Sequence, residues 1–72
     1  MAYNGHKNWN HWNVSLWINN DENLYRLASR CIKSTHTREY AARMFMGIVT
    51  NKQTPDGAPY TVSSVMAAMR GM

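Results

Sequence analysis

The sequence predicts an all-α fold, a compact bundle of three to four short helices, and three observations carry that prediction. Apolar residues recur at i, i+3, i+4 and i+7 in separate stretches, and no run alternates as a half-buried strand would. Residues suited to helix caps and tight turns fall between those stretches. At 72 residues and 44% hydrophobic content, the chain makes one small domain. Chains of this size bury only about 60% of the surface their unfolded form exposes. Residues 1–72 are read as that single domain, with 1–8 a loose N-terminal arm.

The first helix is expected over residues 9–18, with Trp9, Trp12 and Leu16 at i, i+3 and i+7 and Trp17 beside them. Seven of the eight asparagines lie between Asn4 and Asn23. Asparagine bonds readily to nearby backbone, so this clustering marks helix starts. Asn19-Asn20-Asp21-Glu22 reads as such a start, with Asn19 as N-cap, Glu22 completing a capping box, and two carboxylates at the positive end of the dipole. The helix it opens should reach about residue 33, turning Leu24, Leu27, Ala28 and Cys31 inward and Arg26, Arg30 and Lys33 outward. Ser34-Thr35-His36-Thr37 supplies a polar turn and another cap.

A third helix follows over residues 38–50, in which Ala41, Met44, Phe45, Ile48 and Val49 recur with helical period. Gly47 inside it costs about 1 kcal/mol relative to alanine, which predicts either a close helix crossing or an early end. Residues 51–59 form a loop, with Thr54-Pro55-Asp56-Gly57 suited to a tight turn. Thr61 caps a last helix bearing Val62, Val65, Met66 and Met69 and ending at Gly71. Five of the six methionines lie between Met44 and Met72, where flexible thioethers fill an irregular core or line an adaptable surface.

Charge is unevenly placed. Residues 1–25 set Lys7 against Asp21 and Glu22, for −1, and residues 44–72 set Lys52 and Arg70 against Asp56, for +1. Residues 26–43 hold Arg26, Arg30, Lys33, Arg38 and Arg43 against Glu39, for +4, which is the net charge of the whole chain. A basic stretch of this kind suits a polyanionic or acidic partner, and it equally serves solubility.

Catalytic chemistry is thinly provided, and the chain is read as non-enzymatic. Of four carboxylates two belong to a helix start, which leaves no acid–base pair. Cys31 falls on an apolar helix face, where a thiol is inert. His6, His11, Cys31 and His36 match no finger, ribbon or knuckle spacing, so no metal is assigned. The four glycines are scattered and cradle no phosphate, so no cofactor is assigned. A lone cysteine, no signal-like segment and no apolar run of about 18 residues predict a cytoplasmic chain without a membrane partner.

Trp9-Asn10-His11-Trp12-Asn13-Val14, Leu16-Trp17-Ile18, Asn20-Asp21-Glu22 and Leu24-Tyr25 together resemble the signature of a family of small uncharacterised proteins of bacteriophages and bacteria. The resemblance covers about a quarter of the chain and implies a phage-like setting and the host cytoplasm, with no chemistry attached. Separately, Ala41-Ala42, Thr54-Pro55-Asp56-Gly57, Tyr60-Thr61 and Ser64-Val65 resemble the helix-turn-helix segment of large serine recombinases, which implies a helix-turn-helix-like C-terminal pair. The candidate reading helix departs from that pattern, offering Met66, Ala67, Ala68 and Met69 with Arg70 as its basic group.

Two expectations follow. The first is a small interaction protein that binds and modulates or inhibits a host protein or nucleoprotein complex. Its contacts would be Arg26, Arg30, Lys33, Arg38 and Arg43 with Trp9 and Trp17, because tryptophan and arginine are enriched at binding hot spots. Three tryptophans in so small a chain serve equally as core anchors, and helical spacing turns at least one away from the other two. The alternative is a nucleic-acid-binding regulator contacting its target through Lys52, Tyr60, Ser63 and Arg70. The oligomeric state is left open.

Overall fold

The computed structural model describes residues 5–72. Four helices follow in order, α1 (Trp9–Asn20), α2 (Glu22–Ser34), α3 (Arg38–Ile48) and α4 (Val62–Ala68), and no strand is present among the described residues. Each helix packs on its chain neighbours, and α4 closes back on α1 in the most extensive of the contacts. The result is a ring of four helices whose diagonal partners do not meet. Its radius of gyration of 11.0 Å equals the value of about 11 Å expected for a compact chain of this length.

Capping explains where the helices start. Asn8 accepts from the backbone N–H of His11, Thr37 from that of Tyr40, and Thr61 from that of Ser64. Thr61 and Ser64 complete a reciprocal capping box, so the last start is legible in the sequence. The second is displaced: Asp21, not Asn19, is the N-cap of α2 and accepts from Leu24 N–H. Asn19 stays in α1 and its amide reaches the Ser15 and Ala68 carbonyls, tying α1 to α4. Asp21 wins because a carboxylate accepts a charge-assisted bond at the dipole's positive end. Glu22 closes no box and pairs instead with Arg26 at 2.7 Å.

The core joins Val14 and Ile18 of α1, Ala28 and Cys31 of α2, Ala41, Ala42 and Phe45 of α3, and Val65 and Ala68 of α4, with Met69 just after it. Ala58 and Tyr60 enter from the long connection, and the Tyr60 ring stands edge-on to Phe45 with centroids 5.5 Å apart. Of the expected inner face of α2, Ala28 and Cys31 are buried while Leu24 and Leu27 cover the edge of the core. On α3 the expected inner face is rotated. Met44 and Ile48 are exposed, and Ala42 and Met46 turn inward instead. Gly47 serves no close crossing, since a Cβ there would meet nothing within 4 Å.

The expected loop 51–59 is a small hairpin-like excursion. Gln53 and Pro59 bridge antiparallel, Thr54 N–H donates to Ala58, and Gly57 N–H closes the Thr54–Gly57 turn at 2.8 Å. Gly57 holds φ at 94°, a left-handed value natural to glycine. Of the arm expected over residues 1–8, only 5–8 are described, and Asn8 is bound to α1 as its cap.

Candidate functional site

Two regions answer to the residues singled out above, and they differ in kind. In the first, α1 presents Asn10, Asn13 and Trp17 to the 51–60 excursion. The Asn13 amide N–H donates to Asp56 Oδ2 at 2.9 Å, and its carbonyl oxygen accepts from the Thr54 hydroxyl at 2.6 Å. Trp17 Nε1 donates to the same Asp56 oxygen at 2.9 Å, and Asn10 donates to the Pro59 carbonyl at 2.8 Å. Thr54 in turn accepts from Ala58 N–H. Asn13 and Thr54 are each 1% exposed, and no buried side-chain polar atom among the described residues lacks a partner. The Asn13 and then the Trp17 hydrogen bonds hold the Asp56 carboxyl below its ordinary value. Trp17 is therefore half-buried and fixed to the turn, whereas Trp9 is 39% exposed at the start of α1.

Tyr60 is likewise committed to the core, and burial first, then the charge of Asp21, pushes its phenol above the ordinary value. Lys52, Ser63 and Arg70 are exposed, and Ser63 and Arg70 line one depression that includes neither Lys52 nor Tyr60. The pair α3–α4 is separated by the whole 49–61 connection, and seven-residue α4 buries Ser64, Val65 and Ala68.

The second region is the outer side of α2 and α3. Arg26, Arg30, Lys33, Arg38 and Arg43 are all exposed. Arg26 pairs with Glu22 and Arg43 with Glu39 at 3.0 Å, each an i,i+4 surface pair worth about 0.3–0.5 kcal/mol. Arg30, Lys33 and Arg38 have no carboxylate partner among the described residues. On α3 lies an apolar edge of which the sequence reading counted Met44 and Ile48 with the core period. Tyr40, Met44 and Ile48 follow at i, i+4 and i+8 along one edge of α3, 65%, 37% and 57% exposed. A shallow cleft beside this edge is lined by Thr35, His36, Tyr40, Arg43 and Met44.

The signal for that edge was present in the periodicity. Apolar residues of α3 from Tyr40 round to Met46 cover about 240° of the helix circumference. A helix packed on two neighbours does not bury so wide an arc. Among the described residues no group of three or more His, Cys, Asp or Glu side chains converges as metal ligands would. Cys31 lies in the core, and burial raises its thiol above the ordinary value, against a smaller lowering by Arg30. No described helix is long and apolar enough to cross a membrane.

The model of a Family of unknown function (DUF7249) matches residues 1–72. The chain belongs to that family. The match takes in both regions, the α1–turn lock and the outer side of α3. No curated protein and no solved structure matches the chain.

Proposed function

We propose that this chain is a non-catalytic interaction protein that docks an acidic protein partner on the outer side of α3. One observation carries the reading: Tyr40, Met44 and Ile48 form an exposed apolar edge on a helix whose adjoining face already buries Ala41, Ala42 and Phe45. Apolar residues aligned at i, i+4 and i+8 match the anchors of helix-in-groove and helix-on-helix recognition. Charge complementarity selects an acidic occupant, since Arg43 lines the cleft beside this edge and residues 26–43 carry +4.

The resemblance of the Trp9–Tyr25 string to small phage and bacterial proteins makes a host protein the natural class of partner, met in the host cytoplasm. Binding there modulates or inhibits the partner by covering its acidic surface. The test is affinity capture with and without nuclease, using the native chain and a Tyr40→Ser/Ile48→Ser variant. An acidic partner kept after nuclease and lost with the variant supports the proposal. Capture that vanishes with nuclease, or that the variant leaves intact, overturns it.

A further inference from the structure

A different part of the molecule collects a second set of basic groups, one that no contiguous stretch of sequence contains. Where the N-terminal end of α1 meets α4, a depression is lined by His6, Lys7, His11, Ser63 and Arg70, residues up to 64 positions apart (6 to 70). His11 is bound to α4 through its ring, with Nε2 at 3.0 Å from Ser63 Oγ. Lys7 and Arg70 are exposed at the rim, and His6 is half-buried. No carboxylate stands among the described residues lining the depression.

We infer that this depression is a phosphate-binding site, in which Arg70 and Lys7 supply charge, charged His11 donates through Nε2 to Ser63 Oγ, the Ser63 hydroxyl donates to the anion, and His6 lines the same depression. A phosphate group suits the donor set. It offers oxygens in several directions to donors converging from two chain segments, and arginine meets such a group with a rigid fork. The surroundings of His11 agree with an anion's place left open. Partial burial lowers its ring below the ordinary value of 6.5, and the positive charges of Lys7, His6 and Arg70 lower it further. Three like charges crowding one imidazole cost free energy that a bound dianion would remove.

The groups facing His11 from every packed element are few. Arg38 and Glu39 of α3 line the adjoining groove, and Glu39 is already engaged by Arg43. The site lies apart from the Tyr40–Met44–Ile48 edge, so the two proposals stand or fall independently.

By linkage, an anion that binds better to charged His11 raises its titration midpoint. The experiment follows the His11 ring resonances through a pH series in chloride, in inorganic phosphate at matched ionic strength, and with a short oligothymidylate. A midpoint raised by phosphate above that in chloride supports a site for free phosphate or a small phosphate ester. A midpoint raised by the oligonucleotide alone supports the same site taking the phosphodiester backbone. Arg70→Gln and Lys7→Gln, both at exposed positions, should each weaken the apparent affinity about tenfold, as the loss of one charge-assisted hydrogen bond does. Equal midpoints in chloride and in both phosphate conditions would mean charge screening only and would overturn the inference, as would full binding by both variants.

Discussion

Asn13 and Ile48 break the inside–outside rule in opposite directions. Asn13 is a polar residue at 1% exposure, and Ile48 an apolar one at 57%. Around Asn13 the violation is fully compensated, because Thr54, Asp56 and the turn backbone answer each polar atom. Around Ile48 no compensation exists among the described residues, and Tyr40 and Met44 extend the same exposed line. A satisfied buried network fixes one arrangement of α1 against the turn. An exposed apolar edge fixes nothing by itself, and its natural completion is another surface.

Breaking the first region should have the larger effect on stability. Asn13→Ala strips the Thr54 hydroxyl of its acceptor, removes a donor from Asp56 and leaves a void. It should lower stability by about 3 kcal/mol in urea unfolding. A domain of this size has only about 4–10 kcal/mol in total, so the excursion 51–60 should become protease-sensitive. A loss under about 1 kcal/mol would show the network to be incidental.

The same region sets an acid limit. The Asp56 carboxyl is held below its ordinary 3.8 by hydrogen bonds from Asn13 and Trp17. Its contribution is therefore complete above 3.8 and disappears as pH falls through the lowered folded value. His11 acts in the same direction at milder pH, since its lowered midpoint makes the unfolded chain the better proton acceptor below 6.5. Thermal scans should show a loss of stability on acidification from neutrality, His11→Gln removing the upper step and Asp56→Asn the lower one. A profile unchanged in both variants would contradict these assignments.

The second region should respond in the other way. Tyr40→Ser with Ile48→Ser removes more than half-exposed surface from a helix whose core face is untouched, so the cost in urea should be about 1 kcal/mol or less. A loss comparable to that of Asn13→Ala would make the edge part of the fold and erase the contrast between the two regions.

The helices, the Thr54–Gly57 turn and the Thr61 cap were legible in the sequence because each rests on local chemistry: apolar period, glycine at a left-handed angle, a hydroxyl over free N–H groups. The buried network was not, since Asn13, Thr54 and Asp56 meet across some 40 residues and their side chains resemble ordinary caps and turn residues. Trp17 looked like a binding group for the same reason, its partner Asp56 being invisible to spacing. The α3 edge was misplaced because Met44 and Ile48 share the helical period of the core. Only the packing of α2 and α4 decides which part of a 240° arc is covered. The cluster at His11 was hidden differently, its cations lying at opposite ends of the chain.

Gly47 offers the finest discrimination between the two kinds of residue. It sits within the last turn of α3, on the same side as Tyr40 and Met44, and a Cβ there would meet nothing within 4 Å. Nothing in the fold calls for glycine at that position. Gly47→Ala should raise stability by about 0.5 kcal/mol, a little less than a mid-helix site yields, by restricting the unfolded chain and favouring helix. If the α3 edge is a docking surface, the added methyl lies where a partner must approach, and the same variant should bind that partner more weakly while being more stable. Stability and binding would then move in opposite directions on one substitution, a result that a purely structural role for this edge does not produce. Should alanine stabilise the chain and leave capture unchanged, the contact does not reach the last turn of α3, and the docking edge is confined to Tyr40 and Met44.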